Sequence, residues 1–168
     1  MKILDNDKFE LHYFQVTDLW KRFCELHNEL LELTFDEYEL LLAGNLDSLN
    51  EKVLIKETKI KEIAAVERIR HQLIKEIDSN IEVENGINSV VDLLKIMSKT
   101  KFEKENNYLT KFNGLLIDII EKIQEQNKRN QIFINKALIS LKDIRLEAMG
   151  TKSYQTYDKS GSTQHIDT

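Results

Sequence analysis

The sequence predicts an all-α fold: an elongated antiparallel helical bundle or coiled coil with three long helices and one short helix. Three observations carry this. The 168 residues contain no proline, the residue that breaks helices and fixes loops, so a few long helices can run between short turns. The five glycines are scattered from Gly44 to Gly161, which leaves no glycine-rich phosphate loop. Apolar residues recur at steps of three and four along most of the chain, the period of a helix buried along one face.

The first helix is expected from about Asp7 to Ala43. Between Phe9 and Phe23 the stripe Phe9, Tyr13, Val16, Trp20, Phe23 steps four, three, four, three, which is the seam of a coiled coil. Leu30, Tyr38 and Leu42 continue it, and Leu26, Leu31, Leu33 and Phe35 widen it, as suits a bundle helix with more than one neighbour. Gly44 and Asn45 end the helix, since either adopts the left-handed conformation that satisfies the last carbonyls. Asp47 or Ser48 is then expected to cap a second, antiparallel helix running to Ile77. Its stripe is Leu49, Val53, Ile60, Ile63, Leu73 or Ile74, and Ile77. Lys56, Glu67 and Arg70 interrupt that seam, and Glu67 and Arg70, three apart, are placed to pair.

Asn85 and Gly86 mark a turn, and a short helix is expected over Asn88–Ser98. The last helix is predicted from Phe102 to about Ala148, ended by Gly150. Its stripe runs Leu109, Phe112, Leu116, Ile119, Ile120, Ile123, then Ile134, Leu138, Leu141, Ile144. Between these blocks residues 124–131 are polar on every face and read as a thin point or a bend. The domain boundaries expected are a bundle over 1–148 and a flexible C-terminal tail over 149–168, small and polar and burying little apolar surface.

Composition narrows the function classes. The charged fraction is 32%, against ~25% in a typical domain, so much charge sits on solvated helix faces. The net charge is −5. Residues 1–50 hold eleven acids against four bases, a balance of −7, which leaves +2 for the rest. No cluster of Lys and Arg forms a nucleic-acid footprint. No apolar run approaches the ~20 residues of a membrane span, and the charged N-terminus lacks a signal peptide's apolar core. The chain is therefore expected in the cytoplasm, with no nucleic-acid partner and no membrane insertion.

Chemistry has little to work with. A di-iron bundle needs Glu-x-x-His on two helices, and no glutamate here is followed three residues on by histidine. His12 reads as partly exposed, and His27 as a satisfied core histidine. Cys24, the sole cysteine, reads as a small buried hydrophobe. It lies three residues from His27, but a helix interior offers no oxyanion hole, because its N–H groups are already bonded. No enzyme, cofactor or metal is expected.

Surface for proteins remains. Phe133, Leu138, Leu141 and Ile144 either pack on the first helix or anchor a partner's helix. Tyr154 and Tyr157, aromatic residues in a polar tail, suggest a recognition motif that orders on binding. A second class stays open, a self-associating coiled-coil structural or adaptor protein held by the first-helix seam.

Four segments together resemble the FlgN family of flagellar type III export chaperones. They are the turn LLAGNLDSLNEKV at 41–53, the run Lys56, Lys59, Glu67, Arg70, the segment NQIFINKALISL at 130–141, and TYDKSG at 156–161. The resemblance implies a cytoplasmic chaperone that binds the C-terminal helical ends of hook–filament junction proteins (FlgK and FlgL type). It would prevent their premature assembly and deliver them to the flagellar export gate. It implies Phe133, Leu138, Leu141 and Ile144 as the cargo face, and Tyr154, Tyr157, Asp158 and Gly161 as a segment contacting cargo or gate. The acidic, aromatic first helix, with Trp20 and Phe23, departs from the family pattern. The oligomeric state expected is a monomer or weak dimer.

Overall fold

The computed structural model describes residues 2–3 and 6–154. The chain divides into two compact units, 1–127 and 128–168. The elements in order are β1 (Lys2–Ile3), α1 (Asn6–Ala43), α2 (Leu46–Asn80), β2 (Ile81–Glu82), α3 (Val90–Met97), α4 (Lys101–Asn106) and α5 (Tyr108–Tyr154). The fold is all-α as the sequence predicts. Among the described residues the one exception is a two-residue antiparallel ladder in which Lys2 pairs with Glu82 and Ile3 with Ile81. Among the described residues no helix is long and apolar enough to cross a membrane.

In the first unit, α1 supplies more of the core than any other element. Phe9, Tyr13, Val16, Trp20 and Phe23, the seam read from the sequence, are all buried. They pack with Val66, Leu73 and Ile77 of α2, Ile81, Leu93, Ile96 and Met97, and Leu109 of α5. Trp20 meets Phe23 edge to face at 6.0 Å and donates its indole N–H to Asn113 at 3.0 Å. Trp20 and Phe23 are therefore core anchors. A second cluster joins Cys24, Leu30 and Leu31 to Ile119 and Ile123 of α5.

The turn between α1 and α2 forms where expected, with Gly44 in the left-handed region at φ +65°. The cap differs: Asn45, one residue after that glycine, accepts the Ser48 N–H at 3.2 Å, so α2 starts at Leu46 rather than at Asp47 or Ser48. An asparagine amide oxygen is as good a cap as a serine or aspartate. Four cross-helix ion pairs run down the hairpin: Asp36–Lys52 at 3.1 Å, Glu37–Lys56 at 3.0 Å, Glu29–Lys59, and Glu62–Arg22 at 3.9 Å. From the turn outward the α1 partners fall from residues 36 and 37 to 29 and 22 while the α2 partners rise from 52 and 56 to 59 and 62, as in an antiparallel pair. Part of the acidity of the first fifty residues is thus answered by lysines of α2. Lys56 also donates to Asn127 of α5 at 3.0 Å. Arg70 and Glu67 pair at 2.6 Å, as their spacing suggested.

The expected long last helix is broken near its start. Residues 101–106 form α4, and Asn107 at φ +54° separates it from α5. Asparagine tolerates that left-handed conformation, and Glu103 makes the break stable. Its carboxylate is 3% exposed and accepts four hydrogen bonds. These come from the Leu109 N–H (2.9 Å), the Thr110 N–H (2.9 Å), the Thr110 hydroxyl (2.6 Å) and the Tyr13 hydroxyl (2.7 Å). Glu103 therefore caps the first turn of α5 from outside that helix and ties it to α1. Upstream, the N-cap Ser89 accepts the Asp92 N–H (3.1 Å) and starts α3, while Asp92 accepts the Asn88 N–H (3.2 Å) just before it.

Once begun, α5 continues without interruption through the polar segment 124–131. Within that segment the amides Gln126 and Asn130 are buried. Nor does Gly150 end the helix, which runs to Tyr154. A single helical glycine costs about 1 kcal/mol, too little to stop a helix of 47 residues.

Candidate partner-binding surface

His12, His27 and Cys24 have structural roles. His12 is buried, not partly exposed, because the widened stripe of α1 turns it inward. Its Nδ1 lies 2.8 Å from the Gln15 side-chain oxygen and its Nε2 accepts from the Asn80 amide at 3.1 Å. This fits a neutral ring protonated at Nδ1. His27 Nδ1 sits 2.7 Å from the Phe23 carbonyl. The Cys24 thiol donates to the Phe112 carbonyl at 3.3 Å, and burial, aided by the charge of Glu25, pushes its pKa above the ordinary value. Each group is held by a partner other than its neighbour, so no nucleophile–base pair forms. Among the described residues no group of three His, Cys, Asp or Glu side chains is placed to hold a metal.

The second unit presents a different surface. Leu138, Leu141 and Ile144 are 59%, 62% and 63% exposed, and Phe133 is half-buried. A core leucine in the first unit is under a tenth exposed. Of the two possibilities open for this face, packing as ordinary core fails for these three residues. Sequence reasoning missed three further members. Ile132, Ile139 and Leu146 are spaced seven apart and are all exposed, the spacing that keeps side chains on one line of a helix. A run of isolated surface leucines needs no explanation, but six large aliphatics exposed within fifteen residues of one helix form the kind of apolar patch that marks an interaction site.

A second exposed apolar group was also missed. Leu42 of α1 and Leu46, Leu54 and Ile55 of α2 lie exposed around the α1–α2 turn. Leu42 was expected in the seam. Its exposure follows from its position, one residue before the last residue of α1.

Of the tail residues, Tyr154 is the last of α5, while Tyr157, Asp158 and Gly161 lie outside the described residues, as does most of the expected tail. The seam of α1 from Phe9 to Phe23 is buried within a single chain, which leaves it unavailable to a second copy.

No curated protein and no solved structure matches this chain. The family model described as FlgN protein matches residues 11–165, most of the chain and all but the first few residues of the helical framework above. The chain therefore belongs to the FlgN family of flagellar export chaperones.

Proposed function

We propose that the protein is a cytoplasmic chaperone for hook–filament junction proteins of the FlgK and FlgL type. It binds their C-terminal helical ends, prevents premature assembly, and hands them to the flagellar export gate. The observation that carries this reading is the exposed aliphatic face of α5 between Ile132 and Leu146. A subunit waiting for export leaves an amphipathic end uncovered, and a complementary helix face shields it from self-association. A helix laid in by its i, i+3, i+4 and i+7 positions buries side chains from both partners without remodelling either. Phe133, Leu138, Leu141 and Ile144 are assigned to the cargo face, and Tyr154, Tyr157, Asp158 and Gly161 to contacts with cargo or gate.

Co-purification tests the reading. The full chain and a chain ending at Met149 are used as baits, with bound proteins identified by mass spectrometry. Junction proteins retained by the full chain and weakened by truncation support it and place a contact beyond residue 149. Retention of the protein's own copies alone, unchanged by truncation, overturns it in favour of a self-associating coil.

A further inference from the structure

The apolar face of α5 holds two cations that nothing on the helix answers. Lys142 follows Leu138 by four residues. Arg145 follows Leu141 by four and Leu138 by seven. Both therefore project from the leucine face itself rather than from the opposite side, and both are exposed. Residues three and four positions from Lys142 are Leu138, Ile139, Arg145 and Leu146. Those from Arg145 are Leu141, Lys142, Ala148 and Met149. None is acidic, and among the described residues neither cation has an ion pair.

The imbalance extends to the whole unit. Residues 128–168 contain seven bases and four acids, a balance of +3, whereas residues 1–127 contain seventeen bases and twenty-five acids, a balance of −8. A basic, apolar segment thus belongs to an otherwise acidic chain.

Resting on the cargo-face reading above, we infer that the helix seated on this face is acidic. Its apolar stripe covers Leu138, Leu141 and Ile144, and its Asp or Glu side chains meet Lys142 and Arg145. Docking any helix here strips water from both cations, and a buried charge without a partner is strongly disfavoured. A carboxylate offsets that loss. Opposite Arg145 it can accept two parallel N–H bonds from the guanidinium. A neutral stripe forfeits that compensation, and a basic one adds repulsion, so the cations act as a filter among amphipathic helices as well as a source of attraction.

The test uses two fluorescent synthetic peptides with identical leucine heptads, one with glutamate and one with lysine at the flanking positions. Each is titrated into the full chain and into its K142E/R145E variant. Both positions are exposed, so the variant is expected to keep the wild-type helical circular dichroism. The glutamate peptide should bind at least about tenfold tighter than the lysine peptide at low salt, with the gap shrinking near ~0.5 M salt. In the variant the preference should reverse. Equal affinities, or a preference untouched by the double substitution, overturn the inference while leaving the face as a helix-docking surface. If neither peptide binds although a junction protein does, the inference falls and the chaperone reading stands with its contact elsewhere. If the chain alone sediments as a dimer that K142E/R145E dissociates, the occupant is a second copy and the inference is again overturned.

Discussion

At the scale of single residues, Glu103 of α4 links Tyr13 of α1 to the first turn of α5. Burial alone would raise the Glu103 pKa. Hydrogen bonds from Thr110, Tyr13 and the backbone of Thr110 and Leu109 outweigh burial and hold it below the ordinary value. Burial and the bond to Glu103 push the Tyr13 hydroxyl up to about 12. The two shifts act at opposite ends of the pH scale. Because the folded-state pKa of Glu103 is depressed, its contribution is complete above the pKa of an unfolded glutamate and is lost as pH falls through the folded value. Because that of Tyr13 is raised, its contribution is complete below pH ~10 and is lost as pH rises through about 12. Urea unfolding across pH should show both losses, with the acid-side loss reduced in Glu103→Gln. Tyr13→Phe should cost about 1.5–3 kcal/mol at neutral pH, the range for a hydrogen bond to a charged group. A loss within error of zero would mean that the pair does not hold the fold. Nothing in the sequence marked Glu103: it reads as one more acid in KFEKEN, and its role depends on a left-handed asparagine four residues later. The burial of His12 was equally hidden, because its partners Gln15 and Asn80 include one that is 68 residues away.

At the scale of elements, periodicity was informative wherever an apolar seam met a neighbour in the same chain. The α1 seam and the Gly44 turn were legible because spacing and left-handed backbone leave local signatures. Two other features of α5 were not. Its start depends on the Glu103 cap, and its passage through 124–131 carries two buried amides, Gln126 and Asn130, where an apolar stripe was looked for. Propensity also suggested that Gly150 would stop the helix, which instead runs to Tyr154, since one glycine costs only about 1 kcal/mol. The interior glycines of α5 therefore weaken it without shaping it. A methyl added at Gly114 meets nothing within 4 Å, so Gly114→Ala should stabilise the protein by about 0.5–1 kcal/mol in thermal unfolding. At Asn107 the sign is opposite: Asn107→Ala forces alanine to φ +54° and should destabilise by about 1 kcal/mol, whereas Asn107→Gly should be nearly neutral. The α1–α2 ladder separates similarly. Lys56 and Glu37 are 14% and 12% exposed in their side chains, against 37% and 42% for Lys52 and Asp36. Lys56→Ala should cost more than Lys52→Ala, which falls in the ~0–1 kcal/mol range of surface pairs.

At the scale of the whole molecule, the sequence divides its apolar residues between two tasks. The aromatic seam of α1 is consumed in the core of the first unit, which removes it as a route to self-assembly. The aliphatic run at the end of α5 remains exposed. Leu138, Leu141 and Ile144, proposed above for the cargo face, stood out in the sequence because they repeat at steps of three. Ile132, Ile139, Leu146 and the cations among them did not, because a single chain cannot show which of several stripes lacks a partner until the fold has taken its share. The exposed leucines around the α1–α2 turn are a competing surface of the same chemical kind, and only contact with cargo separates the two. Amide hydrogen exchange of the full chain, with and without the C-terminal segment of a junction protein, reads both surfaces at once. Slowed exchange confined to residues 132–146 is the expected result. Protection at residues 42–55 with none at 132–146 would contradict the assignment of the cargo face to α5.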